Sequence, residues 1–267
     1  MKQISILGCG WLGLPLAKSL IEKGFSVKGS TTSLEKISVL RTVGVEAYQI
    51  ELSETGITGD LNLFLKDSEI LIVDIPPKLR GTSSENFVQK IQNLIPFIEN
   101  SSVQKLVFIS STSVYSDNNS IITEATTPQP DTESGKQLVA VENRLLSNLN
   151  FKTTAIRFGG LIGDDRHPIR FLAGRQHLEN PDAPINLIHQ RDCIGIIEAI
   201  MEQECWNETF NAVAPFHPSR KEYYQQKAIE LKLPLPEFST GKKSVGKTIS
   251  SEKVATILHY TFQYKNL

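Results

Sequence analysis

Apolar positions in this chain come in short runs that alternate with stretches of helical spacing. Gln3 to Gly8 ("QISILG") reads as a strand, and Leu12 to Lys23 as a helix with Leu16, Leu20 and Ile21 on one face. Phe25 to Ser30 is a second strand, Leu34 to Arg41 a helix, and Val45 to Leu52 a third strand. Glu69 to Ile75 is a fourth strand and Glu85 to Glu99 a long helix. Lys105 to Ser111 is a fifth strand, Gly135 to Leu149 a helix, and Thr153 to Phe158 a sixth strand. Sustained strand–helix alternation predicts an α/β fold with a parallel sheet and right-handed crossovers. The fourth and fifth strands are almost continuously apolar, as expected when helices cover both faces of the sheet.

Beyond Phe158 the pattern changes. Residues 159–184 are rich in Gly, Pro, Arg and His and read as an excursion from the sheet. A helix from Asp192 to Glu204 and a strand from Thr209 to Ala214 return to it, and Ser219 to Leu231 is amphipathic. The expected division is a nucleotide-binding domain over residues 1–158, completed by 189–214. Residues 159–188 and 215–267 then form a small C-terminal substrate lobe.

Gly8, Gly10 and Gly13 follow the first strand and open the first helix in the spacing G-x-G-x-x-G. In that position Gly8 makes the tight turn, Gly10 lets the backbone approach a pyrophosphate, and Gly13 lets helix and sheet pack closely. The helix N-terminus offers free N–H groups and a partial positive charge to the anion. The expected fold is therefore a Rossmann-type doubly wound sheet with a dinucleotide site; the plainer alternative is a turn without a ligand. Trp11 either stacks on a ligand or packs, and packing is favoured. An NAD site ordinarily has an acid about 20 residues on. Here that stretch is "KGSTT", with Ser30, Thr31 and Thr32 and no acid. Hydroxyls with a cation nearby, Lys36 or an inward-facing Lys28, suit a 2′-phosphate. NADP is thus the expected cofactor, with NAD the alternative. Capping of the next helix by the same hydroxyls is compatible with either.

Composition narrows the partners. Among 267 residues, 40% are hydrophobic and 21% charged, which fits a globular chain. The net charge of −1 argues against sequence-independent nucleic-acid binding. No apolar run is long enough to span a membrane. Cys9, Cys193 and Cys205 are too few and scattered for a disulfide framework, so the expected location is cytoplasmic. His189, Asp192 and Cys193 lack the further ligands that a zinc site needs, so no metal is expected.

Four segments together resemble the extended short-chain dehydrogenases/reductases, the NAD(P)-dependent epimerase/dehydratase family, and within it the atypical YeeZ-like group. They are "ISSTSVY" from Ile109, "ESGKQLVAVE" from Glu133, "IRFGGLIG" from Ile156 and "NLIHQRDC" from Asn186. The resemblance implies a catalytic Ser or Thr with Tyr-x-x-x-Lys. Ser111 matches the hydroxyl, and Lys136 matches the lysine that holds the nicotinamide ribose. Aligned on Lys136, the tyrosine position is Thr132, a weaker and shorter acid than a phenol of pKa about 10. Tyr115, after strand five, is a candidate to supply the proton instead. Tyr223 and Lys227 satisfy Tyr-x-x-x-Lys literally but lie in the small lobe, and a chance pair is favoured.

The resemblance also implies cofactor contacts at Gly8, Gly10, Trp11, Leu12 and Gly13 of the turn and at Ser30, Thr31 and Thr32. Further along, Glu51 and Leu52 would flank the adenine, Ile75 and Pro76 would line the cofactor after strand four, and Ser110, Lys136, Phe158 and Gly159 would face the nicotinamide half. Arg166, His167, Arg170, Arg175 and His177 form a basic excursion that could read an anionic substrate; a solvated loop is the alternative. Two functions follow. One is an NADP-dependent oxidoreductase or epimerase-like enzyme acting on a small substrate of the nucleotide-sugar kind, as a monomer or homodimer. The other is a catalytically silent dinucleotide sensor or scaffold.

Overall fold

Alternate residues of each central strand enter different cores, and this is what fixes the architecture. In the computed structural model, which describes residues 2–77 and 85–266, seven strands form one sheet. They are β1 (Gln3–Leu7), β2 (Ser26–Thr31), β3 (Glu46–Gln49), β4 (Ser68–Val73), β5 (Lys105–Ser111), β6 (Lys152–Phe158) and β7 (Thr209–Ala212). Their order is β7-β6-β5-β4-β1-β2-β3, and every pairing is parallel. The six principal helices are α1 (Gly13–Glu22), α2 (Leu34–Thr42), α3 (Phe87–Glu99), α4 (Glu133–Leu146), α5 (Gln190–Glu202) and α6 (Arg220–Glu230). Ile4 and Ile6 of β1 and Ile70 and Ile72 of β4 share a core with Leu16 and Leu20 of α1 and Ile196 and Ile200 of α5. Leu7, Leu71, Val73, Leu106 and Phe108 meet Ile91 and Leu94 of α3 and Leu138, Val141 and Leu145 of α4 in the other. The period of two along the strands thus covers both faces, and the doubly wound sheet expected from the sequence is present. The strand order reverses between β1 and β4, and ligand clefts open at such a switch point.

The third strand is shorter than the pattern predicted. It ends at Gln49, and Glu51–Ser53 turns away into an antiparallel hairpin with Gly56–Thr58. Gly59 closes that turn with φ +100°; a Cβ there would stand 2.1 Å from the Gln49 carbonyl oxygen. Residues 52 and 50 still bury their side chains in the α3 core.

The small lobe has its own core, formed by Ile162, Ile169, Ile185, Leu187, Tyr223, Tyr224 and Ala228. The C-terminal boundary differs from the expectation. From Thr248 onward the chain leaves that lobe: Thr248–Ile249 pairs with Ile121–Ile122, and Val254, Leu258 and Phe262 join the α1/α5 core. A buried carboxylate explains the return. Asp192 accepts the Tyr260 hydroxyl at 2.9 Å and the Gln263 and Tyr264 N–H groups at 2.7 and 3.1 Å. A buried charge needs such donors, and the tail provides three of them. Among the described residues no helix is long and apolar enough to cross a membrane.

Candidate functional site

The three glycines of the first turn are separated by what a side chain would meet. At Gly8, with φ +108°, a Cβ would lie 2.3 Å from the Asp74 carbonyl oxygen. At Gly13 it would lie 2.3 Å from the Gly8 carbonyl oxygen. At Gly10 it would meet nothing within 4 Å. The outer two therefore serve close packing, and the middle one leaves open space over its backbone, a cradle that a side chain would fill. Helix α1 begins there with no side-chain cap and no acid in its first turn. This end of the cleft fits a dinucleotide pyrophosphate.

Beside the turn lies a cavity of about 240 Å³. Gly8 and Gly10, Ser30 to Thr32 with Lys36, Glu51 and Leu52, and Asp74 to Pro76 line it, closed by Phe87 and Lys90. The predicted adenosine-side residues are thus brought together. Two of the hydroxyls already have structural partners: Ser30 Oγ accepts the Gly8 N–H at 3.0 Å, and Thr31 Oγ1 accepts the Ser33 N–H at 3.1 Å. Lys36 is exposed at the rim. Lys28 is not available to a ligand. It is buried, and its Nζ donates to the Leu63 and Lys66 carbonyls at 2.9 and 2.7 Å.

A larger cavity of about 830 Å³ continues from the first, and the two share Gly10, Asp74, Ile75 and Pro76. Trp11 and Leu12, Ile109 to Ser113, Leu138, and Phe158 to Leu161 form its floor. Arg166, His167, Pro168, Phe171 and Lys247 form the wall toward the small lobe. Trp11 is clasped by that wall. Its indole N–H donates to Asp165 at 2.8 Å, its carbonyl accepts from Gln190 at 2.6 Å, and the Arg166 guanidinium lies 4.9 Å from its ring. Trp11 thus packs against the small-lobe side while lining the cavity.

At the reaction end the expected catalytic residues do not all converge. Ser111 lines the cavity; its Oγ accepts the Ser113 N–H at 3.1 Å, which leaves the hydroxyl hydrogen as a donor. Ser110 also lines it, but its hydroxyl is committed to Glu142 at 2.5 Å. Thr132 and Lys136 are both exposed, and neither is among the residues lining the cavity. Thr132 is the N-cap of α4, its Oγ1 accepting the Gly135 N–H at 3.1 Å, and the Lys136 N–H bonds back to the Thr132 carbonyl. From the same helix, Leu138 is among the lining residues instead. Lys136 lies two residues earlier, roughly 200° round the helix. The signal was in the sequence as the spacing to Glu142. A carboxylate that pairs with the strand-six arginine must face the sheet, and the residue four before it shares that face.

Glu142 and Arg157 are both buried and form a two-pronged pair, with Arg157 Nη2 at 2.6 Å from Oε2 and Nε at 3.1 Å from both carboxylate oxygens. Tyr115 is also buried, away from the cavity. Its hydroxyl accepts from Arg157 at 2.5 Å and donates to Asn211 at 3.0 Å. Burial raises its pKa, opposed by Arg157, so the phenol stays protonated and engaged. It is not placed to supply a proton to the cavity.

His167 faces the cavity as a neutral ring. Its Nδ1 accepts the Ile169 N–H at 3.1 Å, so Nε2 carries the hydrogen and donates to the Tyr223 hydroxyl at 2.8 Å. Burial lowers its pKa to about 4, assisted by Lys227 and Arg170. This also accounts for Tyr223, which is buried in the small lobe, while Lys227 pairs with Glu230 at 2.8 Å. Neither Tyr223 nor Lys227 is among the residues lining the cavity. His189 caps α5 and stacks on Tyr264 with ring centres 3.6 Å apart. Among the described residues no group of His, Cys, Asp or Glu could hold a metal ion. Lys247 was not singled out in the sequence. It enters the wall because its Nζ donates to the Tyr115 carbonyl at 2.5 Å and pairs with Asp117 at 3.1 Å.

The sheet order, the glycine turn and the cleft across the strand ends define a Rossmann-type protein with the fold of the epimerases and short-chain dehydrogenases. Two solved structures show the same fold at low identity. UDP-glucuronic acid 4-epimerase from Bacillus cereus, in complex with UDP-glucuronic acid and NAD, superposes with a TM-score of 0.82 at 16% identity, covering 98% of this chain and 94% of that one. A short-chain dehydrogenase/reductase superfamily protein from Agrobacterium tumefaciens with bound NAD gives 0.79 at 16%, covering 98% and 92%. No family model matches the chain. Protein YeeZ of Escherichia coli K12 is 33% identical over 267 residues, 99% of this chain and 97% of that protein. The chain belongs to the YeeZ family, with the fold shared by those epimerase and dehydrogenase structures.

Proposed function

We propose that this protein is an NADP-dependent oxidoreductase or epimerase-like enzyme acting on a small anionic substrate, of which a nucleotide sugar is one kind. The observation that carries the dinucleotide is the open space over Gly10, at a helix start whose N-cap residue, Leu12, offers no capping side chain, inside a continuous cleft. NADP is favoured over NAD by the acid-free Ser30–Thr32 segment with Lys36 at the cavity rim. When bound, the nicotinamide supplies hydride exchange. The chain's own residues hold the reacting group: the Ser111 hydroxyl donates to a substrate oxygen, while Arg166 and Lys247 on the opposite wall attract its negative charge. Fluorescence titration with NADPH and NADH at fixed salt is the test, with NADPH expected to bind more tightly. Equal affinities would remove the 2′-phosphate argument.

A second reading is favoured by Leu138. An alkyl side chain faces the cavity on α4, and Thr132, Lys136 and Tyr115 are placed elsewhere. A dinucleotide-responsive protein that moves no proton would need nothing more. Turnover of NADPH with carbonyl substrates separates the readings: consumption supports the enzyme, and tight binding without consumption supports the sensor.

A further inference from the structure

Among the described residues, Asp74, at the end of β4, is the one acid that lines both cavities. It lies against the helix end offered to the pyrophosphate: the Gly13 N–H bonds to its carboxyl, and a Cβ at Gly13 would stand 3.2 Å from Oδ2. A carboxylate and a pyrophosphate would compete for the same positive helix end and repel each other at close range. Resting on the dinucleotide reading above, we infer that binding of the pyrophosphate is coupled to protonation of Asp74, so that the dinucleotide binds together with one proton.

The surroundings agree with this. Burial pushes the Asp74 pKa up to about 7, against the opposing Gly13 hydrogen bond, so the proton is exchangeable near neutrality. The titratable neighbours that feel its charge are thiols. Cys9, in the glycine turn, is pushed up to about 12, and Cys193, on α5, is also raised well above its usual value, so both stay neutral. Among the described residues no ammonium or guanidinium makes a salt bridge to Asp74. Lys90 at the adenosine rim is paired with Glu85, and Lys247 on the far wall with Asp117. Among the described residues, Lys36, Glu51, Arg166 and neutral His167 are the other charged and titratable groups lining the two cavities.

The sign follows from linkage. An incoming diphosphate raises the Asp74 pKa further, so the complex holds more protons than the free protein above about pH 7. Affinity is then level below that pH and falls above it, toward a limit of about tenfold per pH unit for one proton. The experiment is calorimetric titration of NADPH into the intact chain at pH 8 in two buffers of different ionisation enthalpy, with affinity measured from pH 6 to 8.5. Asp74→Asn is titrated in parallel, and its far-UV circular dichroism reports folding. Expected are uptake of close to one proton by the unaltered chain and a fall in affinity with pH that Asp74→Asn abolishes. The 2′-phosphate titrates equally in both proteins and drops out of their ratio. NADPH binding without proton uptake in the unaltered chain overturns this inference alone, whatever the variant does. The same slope in a folded Asp74→Asn also overturns it. Failure of the unaltered chain to bind NADPH or NADH overturns the dinucleotide reading and this inference with it.

Discussion

The two ends of the cleft rest on the same sheet but present different chemistry. At the glycine turn the backbone lines the cleft: two glycines pack where no Cβ fits, and the third leaves the main chain open. At the other end, the lining depends on which side chains a helix turns inward. There α4 presents Leu138, while Thr132 caps the helix and Lys136 faces solvent. A backbone site tolerates drift in sequence as long as the glycines remain. A side-chain site changes function with a single residue. On the proposed reading, the chain keeps a backbone cradle for a dinucleotide, while Thr132 and Lys136 lie outside the cavity.

The contrast is broken most completely at Gly10. Gly10→Val should abolish NADPH binding with the melting temperature unchanged, because its backbone needs no glycine conformation and the new side chain enters only the cleft. Retained affinity, read by fluorescence titration, would mean that the turn carries no ligand. Behind the reaction end, Glu142→Gln leaves Arg157 buried without its charge partner, and urea unfolding should register a loss of about 3–5 kcal/mol. A loss near zero would show that water or Tyr115 compensates.

Smaller effects sharpen the same contrast. Lys36→Ala should reduce any preference for NADPH over NADH about fivefold, equivalent to about 1 kcal/mol for an exposed charge contact. An unchanged ratio would remove Lys36 from the 2′-phosphate site. Thr132→Ala should cost about 1 kcal/mol through the lost helix cap, with NADPH affinity and any turnover unaltered. Lys136→Ala should change neither stability nor affinity. A fall in turnover in either of these two would show that the helix start moves into the cleft during reaction.

The legible parts of the site share a physical origin. The glycine spacing, the strand alternation and the acid-free segment after β2 are local patterns, and each fixes backbone geometry within a few residues. Ser111 belongs with them, because it sits at a strand end whose direction the alternation sets. Lys136 and Tyr115 depended on the rotation of α4 and on the turn after β5, which are settled by contacts far apart in sequence. Gly135 packs so closely on the Ser113 carbonyl that a Cβ would stand 2.3 Å away, and Glu142 is drawn to Arg157. Those two contacts orient α4 and turn Leu138 inward.

By itself the sequence determined the doubly wound sheet, its glycine turn and the adenosine-side lining, since hydrophobic period and glycine conformational freedom act through neighbours along the chain. The tertiary structure alone decided that Lys28 is spent on two carbonyls, that Lys247 joins the wall, and that residues from Thr248 onward return to the large sheet. It also decided that Asp74 stands against Gly13 at the start of α1. Each depends on where a charged group finds its partner, and a buried charge takes that partner from whichever segment the fold brings near.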